Sequence, residues 1–567
     1  MIRREFTKLI TTASLAAAFL SLSTEARACG GFFCSAQQPV NQSAERIVFA
    51  QNDNGTVTAV IQILYQGPST KFSWLLPIST VPKSDGDIGV ASDFAFQRLQ
   101  AATNPSYTLT TRIEGTCHSD VGRSSNDSAS PTLAPGANEG APAPTPQVVV
   151  EASGIVGSFE WAVISLNKSL SNPAAAAREW LETNGYDVSP GAEELLGPYL
   201  SDGLYLLALK LTKGADVGSI RPVVLTYEAA RPMIPIKLTA VAANDDMGVM
   251  AWVLGKGRAI PRNYLSLELN EARINWFSPG SNYQAVVSEA ADEAGGHGFV
   301  TEYADTTTAL GKVVWSDDDE ALWLTLRSRV YPSFDELFDE AYNFYQGLSG
   351  FWDAAQKTIT PPPGVPFEDF RRCPSCYVGI QLSPSAFFDA LEKDMIEPNR
   401  VVQRLFDNHP YVTRLYSTLS AAEMTEDPLF GFNPSLPAVS NQHTAERVIE
   451  CRPSVFQFEA PWRVTLPQGD TVRGTGNTWP TAAANDQPPT VRILQLAESG
   501  PGQVLNDNSP EIQSRLAAHN STVPAGGSDE DAGCAISPRP LRAPAVPTWF
   551  IAVAAAALAL ARRRRPS

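Results

Sequence analysis

The chain has 567 residues, 43% of them apolar and 11 of them Trp, which is enough to bury one large core or two smaller ones and excludes a stalk or a wholly disordered chain. Its 43 Lys and Arg against 60 Asp and Glu leave a formal charge of -17 and a pI near 4.9. That balance opposes nucleic-acid binding, because a phosphate backbone requires a basic footprint.

Arg3, Arg4 and Lys8 precede an apolar stretch from about Leu9 to Leu22, and Ala26 and Ala28 supply the small residues of a signal-peptidase site. Residues 1–28 are therefore expected to be a signal peptide, cleaved between Ala28 and Cys29. Ala26 and Arg27 stand where a lipoprotein box would carry Leu and a small residue, which argues against lipidation of Cys29. Export implies an oxidising compartment. Setting Cys534 aside from the 7 cysteines leaves Cys29, Cys34, Cys117, Cys373, Cys376 and Cys451 as disulfide candidates. Six cysteines allow 15 pairings. Proximity suggests Cys29 with Cys34 and Cys373 with Cys376, leaving Cys117 to pair with Cys451.

From Arg46 the residues alternate like a half-buried strand, turn at Asn52-Asp53-Asn54-Gly55 and return from Thr56 to Gln66, with Val57, Ile61, Ile63 and Tyr65 on one face. Asn-Gly between two such runs predicts a hairpin. Further strands are predicted at Phe72–Ile78, Ser106–Ile113, Val148–Glu151, Phe159–Leu166, Leu204–Leu211, Pro222–Glu228, Ile234–Ala242, Val249–Leu254, Ala321–Arg327 and Phe456–Thr465. Gly and Pro follow many of them, favouring an antiparallel sheet. Helices are predicted from Asn172-Pro173 through Trp180, after a capping box of Ser333 and Glu336, after Ser383-Pro384, and from Ser509-Pro510 to about His519. The fold class read from this mixture is α+β: strand-rich, mainly antiparallel sheet with interspersed helices, braced by disulfides.

Residues 119–147 are crowded with Ser, Pro, Ala, Gly and Asn, the composition of a disordered insertion. Residues 29–519 then form the exported domain, 520–542 an acidic and polar linker containing Cys534, and 543–567 a terminal segment in which an apolar run from Ala543 to Ala561 precedes Arg562 to Arg565. The run approaches the roughly 20 residues of a spanning helix, and the arginines mark its cytoplasmic end.

Cys373-Pro374-Ser375-Cys376 has the spacing of a redox pair. Tyr377, Val378 and Ile380 downstream read as strand, whereas a thioredoxin-like site opens a helix, so a structural disulfide is the competing reading. A zinc site would want a second ligand pair, which is missing. His297, in Gly295-Gly296-His297-Gly298, is a candidate base with Glu302 or Asp305 as partner. A lone His in a glycine turn also fits a plain hydrogen-bonded loop residue, and His409 and His443 are single. Asp317 to Glu320 and Asn244-Asp245-Asp246 are acidic runs on predicted turns, without the glycine spacing of a calcium loop. Neither a GxSxG, an HExxH nor a phosphate-loop pattern occurs. No metal or cofactor is expected.

Two resemblances add to this. Cys29-Gly30-Gly31-Phe32-Phe33-Cys34, Asn41-Gln42, Ala44-Glu45-Arg46-Ile47, Phe72 to Pro77, Arg231 to Ile236, Gly296 to Glu302, Asp427-Pro428 and Phe432-Asn433-Pro434 resemble an exported bacterial family of unknown function, domain-of-unknown-function family 2330. The likeness runs from Cys29 to about Ala445, and it implies one exported domain with no catalytic residue to carry over. Gly533-Cys534, the spacer, the short Ala/Leu-rich run and the terminal arginines look like the myxobacterial sorting signal MYXO-CTERM, which implies processing at Cys534 and surface delivery.

The sequence thus reads as a protein held at the cell envelope or surface with its bulk outside the cytoplasm, in contact with the membrane through its C-terminal segment and with the export and sorting machinery. Its expected role is non-enzymatic binding or structure, with an unknown ligand. The alternatives are a thiol-disulfide oxidoreductase using Cys373 and Cys376 and a hydrolase using His297.

Overall fold

Gly55 takes a φ of 80°, in the left-handed region where glycine is favoured, and so lets the chain reverse between the strands Asn41–Gln51 and Thr56–Gln66. The Asn52 amide closes the turn on the Thr56 carbonyl at 2.9 Å, and the strands pair antiparallel as Asn-Gly predicts. A computed structural model describes residues 41–66, 73–83, 86–117, 148–167, 170–186, 188, 191–212, 220–240, 243–480 and 485–524. The signal segment 1–28, Cys29 and Cys34, the insertion 119–147, Cys534 and the segment 543–567 lie outside the described residues.

This hairpin sits inside a sheet of ten strands, in the order Gln503–Asp507, Thr490–Gln495, Leu265–Leu269, Gly298–Thr306, Tyr411–Leu419, Ala243–Gly255, Asn41–Gln51, Thr56–Gln66, Val223–Glu228 and Ile88–Val90. Two neighbouring pairs are parallel, Asn41–Gln51 with Ala243–Gly255 and Leu265–Leu269 with Gly298–Thr306; the other pairings are antiparallel. The first strand is not half-buried as its alternation suggests. Ile47 and Phe49 fill one face and Val48 and Ala50 the other, all at most 1% exposed, because both faces of the sheet are covered.

On the Phe49 side lies a four-stranded sheet of Ser73–Ile78, Tyr205–Leu211, Phe159–Leu166 and Val148–Val156, which contributes Trp74, Phe159, Trp161 and Leu207 to the shared core. Its outer face packs on the helices Pro173–Thr183 and Ala192–Ser201. The Val48 side is covered by the helices Asp93–Thr103 and Glu397–Asn408, through Phe96, Leu99, Val402 and Phe406. Beyond them Trp323, Phe338, Phe351 and Phe387 gather a helical layer. A second four-stranded sheet, Thr471–Thr475, Pro461–Thr465, Gln442–Glu450 and Ser106–Glu114, packs around Trp276 and Trp462 with the helix Ser509–Thr522.

The α+β class, strand-rich and mainly antiparallel, is the observed one, and two disulfides brace it. Cys117–Cys451 joins the ends of the parallel strands Ser106–Glu114 and Gln442–Glu450, with Cα atoms 4.7 Å apart, and Cys373–Cys376 closes a short turn at 5.3 Å.

Several elements differ from the sequence reading. Ala321–Arg327 is not a strand but part of the helix Asp317–Ser328, started by a reciprocal capping box between Ser316 and Asp319 and burying Trp323 and Leu326 three residues apart. The expected strand Ile234–Ala242 holds only a short helix, Ile236–Thr239, because Pro232 and Pro235 each remove a backbone donor. Tyr377–Ile380 belongs to no strand; pairing begins only at Gln381–Leu382. The strand expected from Phe456 starts at Pro461. Ser333 caps its helix by accepting from the Glu336 amide at 3.2 Å, and the last helix runs to Thr522, beyond His519. The central strands Gly298–Thr306 and Tyr411–Leu419 went unrecognised, since Glu302 and Arg414 interrupt their apolar alternation.

Candidate functional site

Those two interrupting residues meet. Glu302 and Arg414 project from neighbouring antiparallel strands, and the guanidinium Nε lies 2.5 Å from the carboxylate, with side chains 2% and 1% exposed for Arg414 and Glu302. Burial alone would leave both charges at great cost, so each has further partners. Tyr283, on the helix Tyr283–Glu293, donates its hydroxyl to Glu302 at 2.7 Å. Arg414 donates to the Thr103 hydroxyl at 3.1 Å and to the Asn104 side-chain oxygen at 2.6 Å, and it lies over the Trp252 ring at 5.3 Å. Burial pushes the Glu302 carboxyl up, while Arg414, Tyr283 and His443 draw it back down. Burial, and next the Glu302 charge, pushes the Tyr283 phenol well above its usual range.

Glu302 and Tyr283 form part of the wall of a cleft of about 430 Å³ between the central sheet and the Gln442–Glu450 sheet. His443 and Glu271 line it too, paired through Nδ1 and Oε1 at 2.6 Å. In this pair Nδ1 donates and the Glu271 carboxylate accepts. The imidazole stacks on Tyr107 at 4.7 Å, and Tyr107 meets Trp276 edge-on at 5.2 Å. The ring is thus fixed from two sides. Burial, followed by the charges of Glu271 and Glu302, pushes the Tyr107 phenol up.

Four buried polar atoms of the lining residues have no hydrogen-bond partner: Glu302 Oε2, which faces Arg414 Nε as an ion pair, and Glu271 Oε2, Thr301 Oγ1 and Arg258 Nε, which face no counter-ion of their own. Buried polar groups are normally satisfied, so the last three single out this cleft, although each lies at its wall with almost no exposed surface. Two of the carboxylates have counter-ions, Glu302 in Arg414 and Glu268 in Arg492 at 2.7 Å, while Glu271 accepts a hydrogen bond from His443 and shares the lining with the Arg258 guanidinium. The cleft can therefore hold a small neutral molecule that both donates and accepts hydrogen bonds.

The residues singled out in the sequence are mostly elsewhere. His297 bonds the Gly295 carbonyl at 2.9 Å and the Thr425 hydroxyl at 3.0 Å, and packs edge-on against Tyr264. Neither Glu302, engaged with Arg414 and Tyr283, nor Asp305, which accepts from the Thr306 amide, is its partner. No base pair of the expected kind forms there. His409 spans the carbonyls of Leu405 and Gln51 at 2.8 and 3.1 Å, a structural clamp. Asp317 to Glu320 are not on a turn between strands but fill the first turn of a helix, where acids favour the dipole; Asp319 pairs with Arg98 and Glu320 with Arg400. Asn244-Asp245-Asp246 lies within the strand Ala243–Gly255. Cys373 and Cys376 are bonded to each other in the helical layer, apart from the cleft. Among the described residues no group of three His, Cys, Asp or Glu side chains could hold a metal ion, and no helix is long and apolar enough to cross a membrane.

Of the cleft's polar groups, the sequence offers His443 only as a single residue and Glu302 only beside His297, and gives no sign of Glu271, Tyr107, Tyr283, Arg258 or Thr301, nor of the place of Arg414 behind Glu302. A lone Arg inside the apolar run Tyr411–Leu419 was the one available signal of a buried ion pair.

Neither a curated protein nor a solved structure matches the chain. A family model matches residues 23–322, a span that includes Tyr107, Glu271, Tyr283 and Glu302 and ends before Arg414, His443 and the stretches near Asp427 and Phe432. On that match the chain belongs to the family described as an uncharacterized protein conserved in bacteria (DUF2330).

Proposed function

We propose that this is an exported, envelope-displayed binding protein, and that the cleft between His443 and Glu302 takes its ligand without acting on it chemically. The observation that carries the reading is the set of three unpartnered polar atoms, on Glu271, Thr301 and Arg258, in one cleft of about 430 Å³. Glu271 Oε2 accepts a hydrogen bond from a ligand hydroxyl, Arg258 Nε donates one to a ligand oxygen, and Thr301 does either. With the lining carboxylates already engaged, a neutral polyhydroxylated molecule, a saccharide or polyol, matches this demand. Display outside the cytoplasm rests on the charged, apolar and small-residue pattern of residues 1–28, and anchoring on the run from Ala543 with its terminal arginines, held by the membrane and delivered by export and sorting machinery.

The test is a thermal-shift panel of neutral hexoses, disaccharides, N-acetylated amino sugars and polyols, run on wild type and on Glu271→Gln. A ligand that binds only the folded state raises the melting temperature. A rise with a panel member in wild type, reduced in Glu271→Gln while the unliganded variant melts normally, is the expected result. No rise with any member, or an equal rise in the variant, overturns the assignment.

A further inference from the structure

The two disulfides of the described residues differ in what they can do. Cys117–Cys451 links positions 334 residues apart, Cys373–Cys376 positions 3 apart. In the chain-entropy picture a bridge stabilises by an amount that grows with the logarithm of the loop it closes in the unfolded chain, so the short one contributes less to the fold than the long one. Nor does its turn depend on it. The Cys376 amide bonds the Cys373 carbonyl at 3.0 Å, the Tyr377 amide bonds the Pro374 carbonyl at 3.1 Å, and Pro374 is buried. Just beyond, the Asp335 carboxylate accepts from the amides of Gly379 and Ile380 at 3.0 and 3.2 Å, fixing the exit of the loop. These hydrogen bonds hold the loop independently of the sulfurs.

Its surroundings favour reaction. Cys376 is exposed, and so are Arg371 and Arg372 just before Cys373, the first lying over the Trp352 ring at 5.7 Å and the second paired with Asp369 at 3.3 Å. Beginning at Gly379, a cleft of about 770 Å³ runs between Phe334, Leu337 and Phe388. Gly379 is three residues from Cys376, at most about 11 Å along the chain. Apolar side chains are left in water here: Val330 is 90% exposed, Val378 78% and Phe334 39%. An exposed apolar surface beside a bridge that contributes little to the fold is the arrangement a polypeptide substrate would use.

We propose that Cys373–Cys376 is a thiol-disulfide exchange site whose substrate is an extended apolar polypeptide segment bearing two thiols, seated in the cleft that starts at Gly379. A substrate thiolate attacks Cys376 Sγ, the bond between the two protein sulfurs breaks, and Cys373 leaves as thiolate. The second substrate thiolate then attacks the substrate sulfur of the mixed disulfide and releases Cys376. The substrate loses two electrons and becomes a disulfide; the protein gains them as a dithiol. A low-molecular-weight disulfide restores the pair by the reverse exchange. This site is separate from the His443 cleft and stands or falls without it.

The experiment takes the whole exported chain through a series of glutathione redox buffers and follows each cysteine by alkylation and mass spectrometry. Its second arm compares the rate at which two dithiol peptides reduce the pair, one flanked by Leu and Phe and the other by Ser and Gly. Cys373 and Cys376 are expected to become reduced in buffers that leave Cys117 and Cys451 joined. The apolar peptide is expected to react about tenfold faster than the polar one, the equivalent of about 1.4 kcal/mol of docking, and Phe334→Ser is expected to remove that difference. A pair as resistant as Cys117–Cys451, or equal rates for the two peptides, overturns the proposal.

Discussion

Glu302 and Arg414 stand on adjacent strands of the central sheet with their charges 2.5 Å apart and almost no exposure to water. Removing one partner of such a pair costs about 3 to 5 kcal/mol because the other charge is left buried alone. Arg414→Met is therefore expected to lower unfolding free energy by that amount in urea titrations. Glu302→Gln combined with Arg414→Met should recover part of the loss; a double variant as damaged as the sum of the single ones would contradict the pairing.

Glu45 is 4% exposed, its Oε2 has no hydrogen-bond partner, and burial pushes its carboxyl up to about 7 from 4.5. A raised acid pKa holds the proton in the folded state, so the contribution of this group is full below about pH 4.5, falls as pH rises to about 7, and is level above. Glu45→Gln is expected to stabilise the protein by about 3 kcal/mol at pH 8 and negligibly at pH 4. The checking measurement is denaturant unfolding at both values, and an equal effect at the two would refute it.

The bridge between Cys117 and Cys451 closes a loop of 334 residues. Chain entropy puts its contribution on the order of 5 kcal/mol. A Cys117→Ala/Cys451→Ala variant should unfold at much lower denaturant than a Cys373→Ala/Cys376→Ala variant; the opposite order would assign the bracing to the short bridge.

Asp319 completes the capping box of its helix and pairs with Arg98 from another helix. The first role is worth about 1 kcal/mol and the second, partly exposed, about half that or less. Asp319→Ala should cost about 1 to 1.5 kcal/mol, and Asp319→Asn, which keeps an acceptor for the cap, less; equal losses would show that the charge and not the cap matters.

What the sequence made legible were elements with local causes. The hairpin at Asn54-Gly55 and the helix opened by Asn172-Pro173 each depend on residues within one turn of each other, and both are present. Ala321–Arg327 is misread as strand because a short apolar run fits either period; the capping box just upstream, Ser316 with Asp319, decides it for helix. The cleft was largely illegible. Tyr107, Glu271, Tyr283, Glu302 and His443, with Arg414 behind Glu302, come from six segments spread over most of the domain, and only pairing between distant strands, such as Ser106–Glu114 with Gln442–Glu450, brings them together. His443 reads as isolated in sequence because its partner Glu271 is 172 residues away.

The ligand site is tested most directly by soaking crystals of the exported domain with the panel compound that raises its melting temperature most and locating the bound molecule. The account predicts density in the His443 cleft, with a ligand hydroxyl within hydrogen-bond distance of Glu271 Oε2 and a ligand oxygen facing Arg258 Nε. A ligand seated elsewhere, with the cleft holding only water, would contradict it.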